Sequence, residues 1–86
     1  MKIAIGLPAY NEEKNIASII SKLEKSSDLI LVCDDGSFDL TGKIASKMGA
    51  IVITHEKNKG YGAAIRSLDD LKMYYNGYKM LKKDTA

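Results

Sequence analysis

Apolar and polar residues follow one another along this 86-residue chain in blocks that switch between strand-like and helix-like spacing. Residues 2–7 form a largely apolar run that predicts a buried strand, and Pro8 should end it because proline has no backbone N–H for the ladder. In residues 12–25, apolar side chains recur at intervals of three and four, which predicts a helix with one buried face. Asn11 is well placed to cap that helix.

The same alternation continues through the rest of the chain. Residues 29–33 predict a second strand, a short helix ending at Gly49 follows, and residues 50–54 predict a third strand. Apolar and aromatic residues then share one helical face, which predicts a long helix over about 62–82. The order β-α-β-α-β-α with short connections favours right-handed crossovers and a short parallel sheet covered on both faces. We therefore expect an α/β fold, a three-layer Rossmann-like half domain that occupies residues 1–86.

Length and composition are those of one small globular domain. The chain is 45% hydrophobic and 28% charged, which is ordinary for a protein with a packed core. No apolar run approaches the ~18 residues of a membrane helix, and the first apolar segment is too short for the core of a signal peptide. We expect a cytoplasmic protein without a transmembrane segment.

Charge and the rare residue types exclude further classes of function. The net charge is +2, but residues 1–43 hold five basic and seven acidic side chains and residues 44–86 hold eight and four, so the halves carry −2 and +4. A solvated basic helix at the carboxyl end explains this better than nucleic-acid binding does. Because Cys33 and His55 are the only thiol and the only imidazole, we expect neither a disulfide framework nor a zinc site of the Cys/His type.

Candidate chemistry lies where the predicted strands end. Asp34-Asp35-Gly36-Ser37 places two carboxylates and a turn directly after the second strand. Pro8-Ala9-Tyr10-Asn11-Glu12-Glu13 follows the first strand, and Asn58-Lys59-Gly60-Tyr61-Gly62-Ala63-Ala64 follows the third. The carboxyl ends of parallel strands share one edge of the sheet, where open α/β sheets bind small ligands. A nucleotide-type ligand is therefore the first hypothesis.

These three motifs, in this order, resemble the amino-terminal, nucleotide-binding half of GT-A-type inverting glycosyltransferases. The resemblance is to the large family 2, which includes the dolichyl-phosphate mannose synthases, and it covers residues 2–66 or so. It implies a UDP- or GDP-sugar as donor. It also implies transfer of one sugar, with inversion, to a lipid phosphate or a growing glycan.

The resemblance implies a role for each motif. The first loop would hold the nucleoside, with the Tyr10 ring against the base and Glu12 accepting hydrogen bonds from ribose hydroxyls. Asp35 would accept a hydrogen bond from the base imide N–H, supported by Asp34, a role that suits an ionised carboxylate because it only accepts. The third loop would close over the phosphates, with Lys59 or Arg66 offsetting their charge. The substrate-binding residues implied in this way are Pro8, Ala9, Tyr10, Glu12, Asp34, Asp35, Gly36, Lys59, Gly60 and Arg66.

The chain also departs from the family pattern. Complete members continue to an Asp-x-Asp motif that binds the metal ion on the donor diphosphate, and later supply an acidic base; we identify neither here. Asp69-Asp70 lies in a helical pattern and is interpreted as a solvated face, not a metal site. We therefore expect no catalytic residue, metal site or cofactor in this chain, with Mg²⁺ or Mn²⁺ bound only in a complete enzyme. The chain is expected to be a poor catalyst alone and to represent a truncated or split enzyme.

Other classes of function stay open. Each motif taken singly has an ordinary explanation as a helix start, a polar turn or a cap. A non-catalytic module could bind nucleotide, or could self-associate or pair with a complementary half-enzyme through Tyr74, Tyr75 and Tyr78. The alternative for these tyrosines is that they complete the core of the small domain. We favour docking for these tyrosines. A phospho-receiver ranks last, because it needs a phospho-acceptor Asp at the end of another strand and a later strand that bears a Lys, and the third strand ends in Thr54-His55-Glu56 instead.

Overall fold

The chain folds into one parallel β-sheet with helices on both faces, as a computed structural model describes it for residues 3–75 and 77–81. A single-turn 3₁₀ helix follows the first α-helix at Glu24–Ser26, and another precedes the last strand at Lys72–Tyr74. The regular elements are β1 (Ile3–Ala9), α1 (Ile16–Leu23), β2 (Leu29–Asp34), α2 (Thr41–Lys47), β3 (Ile51–Thr54), α3 (Tyr61–Asp69) and β4 (Gly77–Met80). The sheet order is β3-β2-β1-β4, and all three strand pairs are parallel. The predicted α/β class is confirmed.

The core has two parts because side chains of β2 alternate between the faces of the sheet. Ile30 and Val32 face α1 and α2. Leu31 and Cys33 face α3 and pack there with Leu68. All of these side chains are at most 5% exposed, so the sheet is covered on both faces, as a parallel sheet requires.

The prediction of a long carboxyl-terminal helix over 62–82 is wrong. Helix α3 ends at Asp69, and Gly77–Met80 forms β4, which pairs in parallel with Ile3–Gly6 of β1. Pairing satisfies backbone groups that a helix would leave exposed along the edge of β1, and this tertiary gain outweighs a helical periodicity that was only coincidental. Residues 82–86, which the helix prediction also covered, lie outside the described residues.

Tyr78 occupies space that a glycine leaves open on β1. A Cβ atom at Gly6 would overlap the Tyr78 hydroxyl. The Tyr78 hydroxyl also lies 3.7 Å from the Met80 sulfur. Burial, and more weakly the charge of Asp69, raises the pKa of the Tyr78 phenol to about 12. Tyr78 is therefore a packed strand residue rather than part of a helical docking face.

Two element boundaries also differ from expectation. β1 continues through Pro8 to Ala9; the even-numbered residues of β1 bond towards β4, which ends beside Gly6, so the missing N–H of Pro8 costs no ladder bond. Helix α1 begins at Ile16 rather than near residue 12. Asn11 does not cap it as predicted: its φ is +51°, and its Oδ1 accepts from the Phe38 amide in the loop after β2. Within residues 3–75 and 77–81, no helix has the length and hydropathy needed to cross a bilayer.

Candidate functional site

A cleft of about 510 Å³ opens at the carboxyl edge of the sheet, where the loops after β1, β2 and β3 come together. We call it the edge cleft. Apolar side chains of β1, α1 and α3, among them Leu7, Ile16 and Ala64, form much of its lining. Six of the ten residues predicted to bind substrate also line it: Pro8, Ala9, Tyr10, Glu12, Asp35 and Gly60.

The other four predicted residues do not line the edge cleft. Asp34 is 7% exposed, and its Oδ1 accepts a 3.1 Å hydrogen bond from the Ser37 amide, so it shapes its own turn. Gly36 has a φ of +72°, and a Cβ there would overlap the backbone of Lys57 and Asn58. This glycine lets the second and third loops touch.

Lys59 and Arg66 are the two cations predicted to offset phosphate charge. Lys59 contributes its backbone N–H to the site, since that group donates to Asp35, while the residue as a whole is exposed. Arg66 lies on the second turn of α3, with its guanidinium beside Gly62. A phosphate role for either side chain stays a prediction.

The first loop is held in place by the loop after β2. The Asn11 amide donates to Ser37 Oγ at 2.9 Å, and Asn11 Oδ1 accepts from the Phe38 amide at 2.9 Å. One residue further on, the Glu12 amide donates to Thr41 Oγ1 at 2.8 Å. Thr41 is fully buried. Tyr10 and Glu12 are thus carried on backbone that is anchored from outside its own loop.

Asp39 anchors the same junction from its exposed side. Its carboxylate accepts hydrogen bonds from the amide and hydroxyl of Thr41 and from the Glu13 amide. Partial burial would raise the pKa of Asp39, but these hydrogen bonds hold it below its usual value. The carboxylate form is therefore the one that joins the two loops.

Asp35 is the centre of the junction between the loops after β2 and β3. It is 3% exposed, and each of its oxygens accepts two hydrogen bonds from the chain. Oδ1 accepts from the Lys59 amide at 2.9 Å and contacts His55 Nδ1 at 2.7 Å. Oδ2 accepts from the Gly60 amide at 2.9 Å and from Asn58 Nδ2 at 3.0 Å. Burial would raise the pKa of Asp35, but the bonds from His55, Lys59 and Gly60 lower it.

These contacts change what Asp35 can offer a ligand. A carboxylate has about four lone-pair positions, and in this structure four donors of the chain occupy them. A base imide N–H would therefore have to share an oxygen or displace one of the donors. The role in base recognition that the resemblance implies for Asp35 stays a prediction.

His55 is the residue of this site that the sequence did not indicate. It follows β3 directly and is 8% exposed. Besides Asp35, its ring contacts Ser67 Oγ on α3 at 2.8 Å and Cys33 Sγ on β2 at 3.6 Å. A single histidine carries no motif, and the one available signal was its position at the end of a predicted strand.

A metal site is not assembled by the described residues. Across residues 3–75 and 77–81, no group of three or more His, Cys, Asp or Glu side chains is arranged to hold a metal ion. Asp69 and Asp70 lie at the end of α3, and neither lines the edge cleft. The described part of the chain therefore offers no site built from three or more such side chains for a divalent cation.

The three tyrosines predicted to form a docking helix do not share a helix. Tyr75 and Tyr78 are partly buried and pack on the core beside α3, which supports the alternative that they complete the core. Tyr74, by contrast, is 72% exposed. Self-association or pairing with a second chain stays a prediction.

Comparison with known proteins identifies the family. The family model described as glycosyl transferase family 2 matches residues 4–67. The chain belongs to this family. The resemblance seen in its three motifs is thereby confirmed.

Relatives within the family include proteins with named activities. A dolichyl-phosphate hexose transferase of Haloferax volcanii is 42% identical over 67 residues, covering 76% of this chain and 29% of that protein. A human dolichyl-phosphate beta-glucosyltransferase is 37% identical over 83 residues, covering 76% of this chain and 26% of that protein.

The fold is shared with a solved enzyme. Glucosyl-3-phosphoglycerate synthase of Mycobacterium tuberculosis, in complex with Mn²⁺, UDP and glucosyl-3-phosphoglycerate, matches with a TM-score of 0.73 and 31% identity. The match covers 96% of this family 2 chain and 33% of the mycobacterial chain. This chain thus spans about a third or less of the length of each of these relatives.

Proposed function

We propose that this chain forms the nucleotide-sugar binding part of a glycosyltransferase that transfers a sugar to a lipid phosphate or glycan acceptor. The observation that carries the proposal is the edge cleft, on which residues of all three family motifs meet at the carboxyl edge of a parallel sheet. Its volume of about 510 Å³ falls within the ~300–1,000 Å³ typical of small-molecule sites. A nucleoside is a ligand of suitable size.

The cleft offers both kinds of surface that a nucleoside needs. Tyr10 is 40% exposed at its rim and presents an aromatic ring on which a base can stack. Glu12 and Asn58 add hydrogen-bonding groups beside the apolar floor. We propose that Tyr10 holds the base and that Glu12 accepts from the ribose hydroxyls.

We also propose that the chain binds nucleotide without turning it over. The chemical step needs stabilisation of the leaving diphosphate and a base for the acceptor hydroxyl. A divalent ion supplies the first in a complete enzyme, and the solved mycobacterial relative contains Mn²⁺. Residues 3–75 and 77–81 provide no cluster of ligands for such an ion, so the part of the reaction assigned to them is recognition of the donor.

Titration of the purified chain with nucleotides tests this proposal. We expect UDP or GDP to bind with a Kd between micromolar and millimolar, with amide shifts confined to residues 9–12, 35–36 and 58–61. Binding should be nearly independent of Mn²⁺. UDP-glucose incubated with the chain should show no hydrolysis or transfer.

Two tyrosine variants provide a matched comparison. Tyr10→Ala should weaken binding by about tenfold, because loss of base stacking costs ~1–3 kcal/mol. Tyr74→Ala removes an equally large exposed ring that does not line the edge cleft, and it should leave the Kd unchanged. Unchanged spectra at 10 mM UDP and GDP, or equal losses in both variants, would refute the proposed function.

A further inference from the structure

The buried contact between His55 and Asp35 links the edge cleft to the core behind it. His55 does not line the cleft, yet its Nδ1 lies 2.7 Å from Asp35 Oδ1, the shortest of the four contacts to that carboxylate. Both side chains are less than 10% exposed. Water therefore has little access to replace this bond, and the orientation of the His55 ring constrains the orientation of the Asp35 carboxylate.

The contacts assign the protons on the ring. An ionised Asp35 carboxylate can only accept, so Nδ1 of His55 must carry a hydrogen. In the neutral ring Nε2 is then an acceptor, and both groups near it can donate: Ser67 Oγ at 2.8 Å and the Cys33 thiol at 3.6 Å. Every polar atom of the imidazole has a partner, so a single ring orientation satisfies the site.

The same ring also joins three elements of the fold. Asp35 follows β2, His55 follows β3, and Ser67 lies on α3. The His55 amide adds a further bond, to the Asp34 carbonyl at 2.9 Å. An imidazole held at its backbone and at both nitrogens has little freedom to turn. It transmits the position of α3 to the Asp35 carboxylate.

We propose that His55 is a positioning residue that orients Asp35 and, through Asp35, the backbone of Lys59 and Gly60 at the mouth of the edge cleft. Both of those amides donate to the Asp35 carboxylate at 2.9 Å, so rotation of the carboxylate would release them. The consequence for ligand binding rests on the proposed function. The orientation of the loop itself does not.

A ligand-free measurement tests the positioning directly. In the ¹⁵N-labelled wild-type chain, His55 Nδ1 should be protonated and hydrogen-bonded, and the amide protons of Lys59 and Gly60 should resonate downfield, as donors to a carboxylate do. An unprotonated His55 Nδ1, or Lys59 and Gly60 amides with the chemical shifts of solvated loops, would overturn the proposal. This measurement uses the wild-type chain, so it does not depend on the folding of any variant.

Two substitutions separate the two ends of the imidazole. His55→Asn keeps a donor near the Nδ1 position, whereas His55→Gln places its amide nearer Nε2, towards Ser67, and loses the Asp35 contact. We expect the Lys59 and Gly60 amides to keep their downfield shifts in the asparagine variant and to lose them in the glutamine variant. The opposite order, or equal shifts, would overturn the proposal.

A ligand-binding arm with UDP as the probe completes the test. His55→Gln should bind UDP about tenfold more weakly than His55→Asn, a difference of ~1.4 kcal/mol. Ser67→Ala should weaken UDP binding severalfold, while Ser27→Ala, which loses a partly buried hydroxyl bond to the Leu23 carbonyl, should leave it unchanged.

The two arms keep the two proposals apart. If the wild type binds neither UDP nor GDP but the amide pattern holds, the proposed function fails and the positioning role stands. If the wild type binds UDP and the asparagine and glutamine variants bind it equally well, the proposed function stands and His55 does not position the site.

Discussion

Replacing Gly36 with alanine should test the junction between the second and third loops at the mouth of the cleft. Gly36 has a φ of +72°, in the region where a side chain costs ~1–2 kcal/mol relative to glycine. A Cβ there would also overlap the backbone of Lys57 and Asn58, which cannot rotate away as a flexible side chain can. Forced packing of this kind adds a further ~1–3 kcal/mol. We expect Gly36→Ala to lower the free energy of unfolding by about 2–5 kcal/mol.

Gly49 supplies the matched control for that substitution. It ends α2 with a φ of +94°, and a Cβ there would meet nothing within 4 Å. Gly49→Ala therefore carries the backbone strain without the steric overlap and should cost only about 1–2 kcal/mol. The difference between the two variants isolates the cost of the contact between loops.

Urea denaturation followed by circular dichroism would measure both values. A domain of this length has a total stability of only ~4–13 kcal/mol, so a loss of 2–5 kcal/mol is large. Amide shifts should change at residues 57–60 in Gly36→Ala and stay at native values there in Gly49→Ala. Equal losses of stability in the two variants would refute the contact between the loops, and with it the shape of the edge cleft.

Three further predictions concern buried groups. Burial, and more weakly the charges of Asp35 and Asp34, raises the pKa of the Cys33 thiol to about 11. At pH 8 iodoacetamide should therefore find roughly 100-fold less thiolate in the folded chain than in the urea-unfolded one, and similar alkylation rates would contradict this. Gly6→Ala should destabilise the chain by about 1–3 kcal/mol, and Tyr78→Val in the same chain should restore part of the loss in a double-mutant cycle. Because folding lowers the pKa of Asp35, its contribution to the free energy of unfolding is present above ~pH 4 and is lost as the pH falls through its folded pKa. Asp35→Asn should therefore flatten the fall in stability between ~pH 5 and 2, and an unchanged slope would refute that contribution.

The first three strands could be predicted because each is a short apolar block with a turn after it. The edge at which their loops meet then follows from parallel topology alone. β4 could not be predicted in the same way, because its pairing with β1 depends on a groove over Gly6 that exists only once β1 is in the sheet. Local spacing of Leu71, Tyr75 and Tyr78 fitted a helix equally well, and a contact distant in sequence decided between the two.

The candidate site, like the fold, could be predicted only in part from the sequence. Motif positions indicated which loops would meet, and they did so because each loop follows a strand of the sheet. They did not indicate that the Asp35 carboxylate would be surrounded by donors of its own chain, since Lys59, Gly60 and Asn58 reach it from 23 to 25 residues away. On the proposed function, we expect a motif residue that satisfies its own loop to contribute to binding chiefly by fixing the shape of the cleft before a ligand arrives. Preorganisation of that kind lowers the entropy cost of binding, so substitutions behind Asp35 should weaken UDP binding even though they remove no contact with the nucleotide.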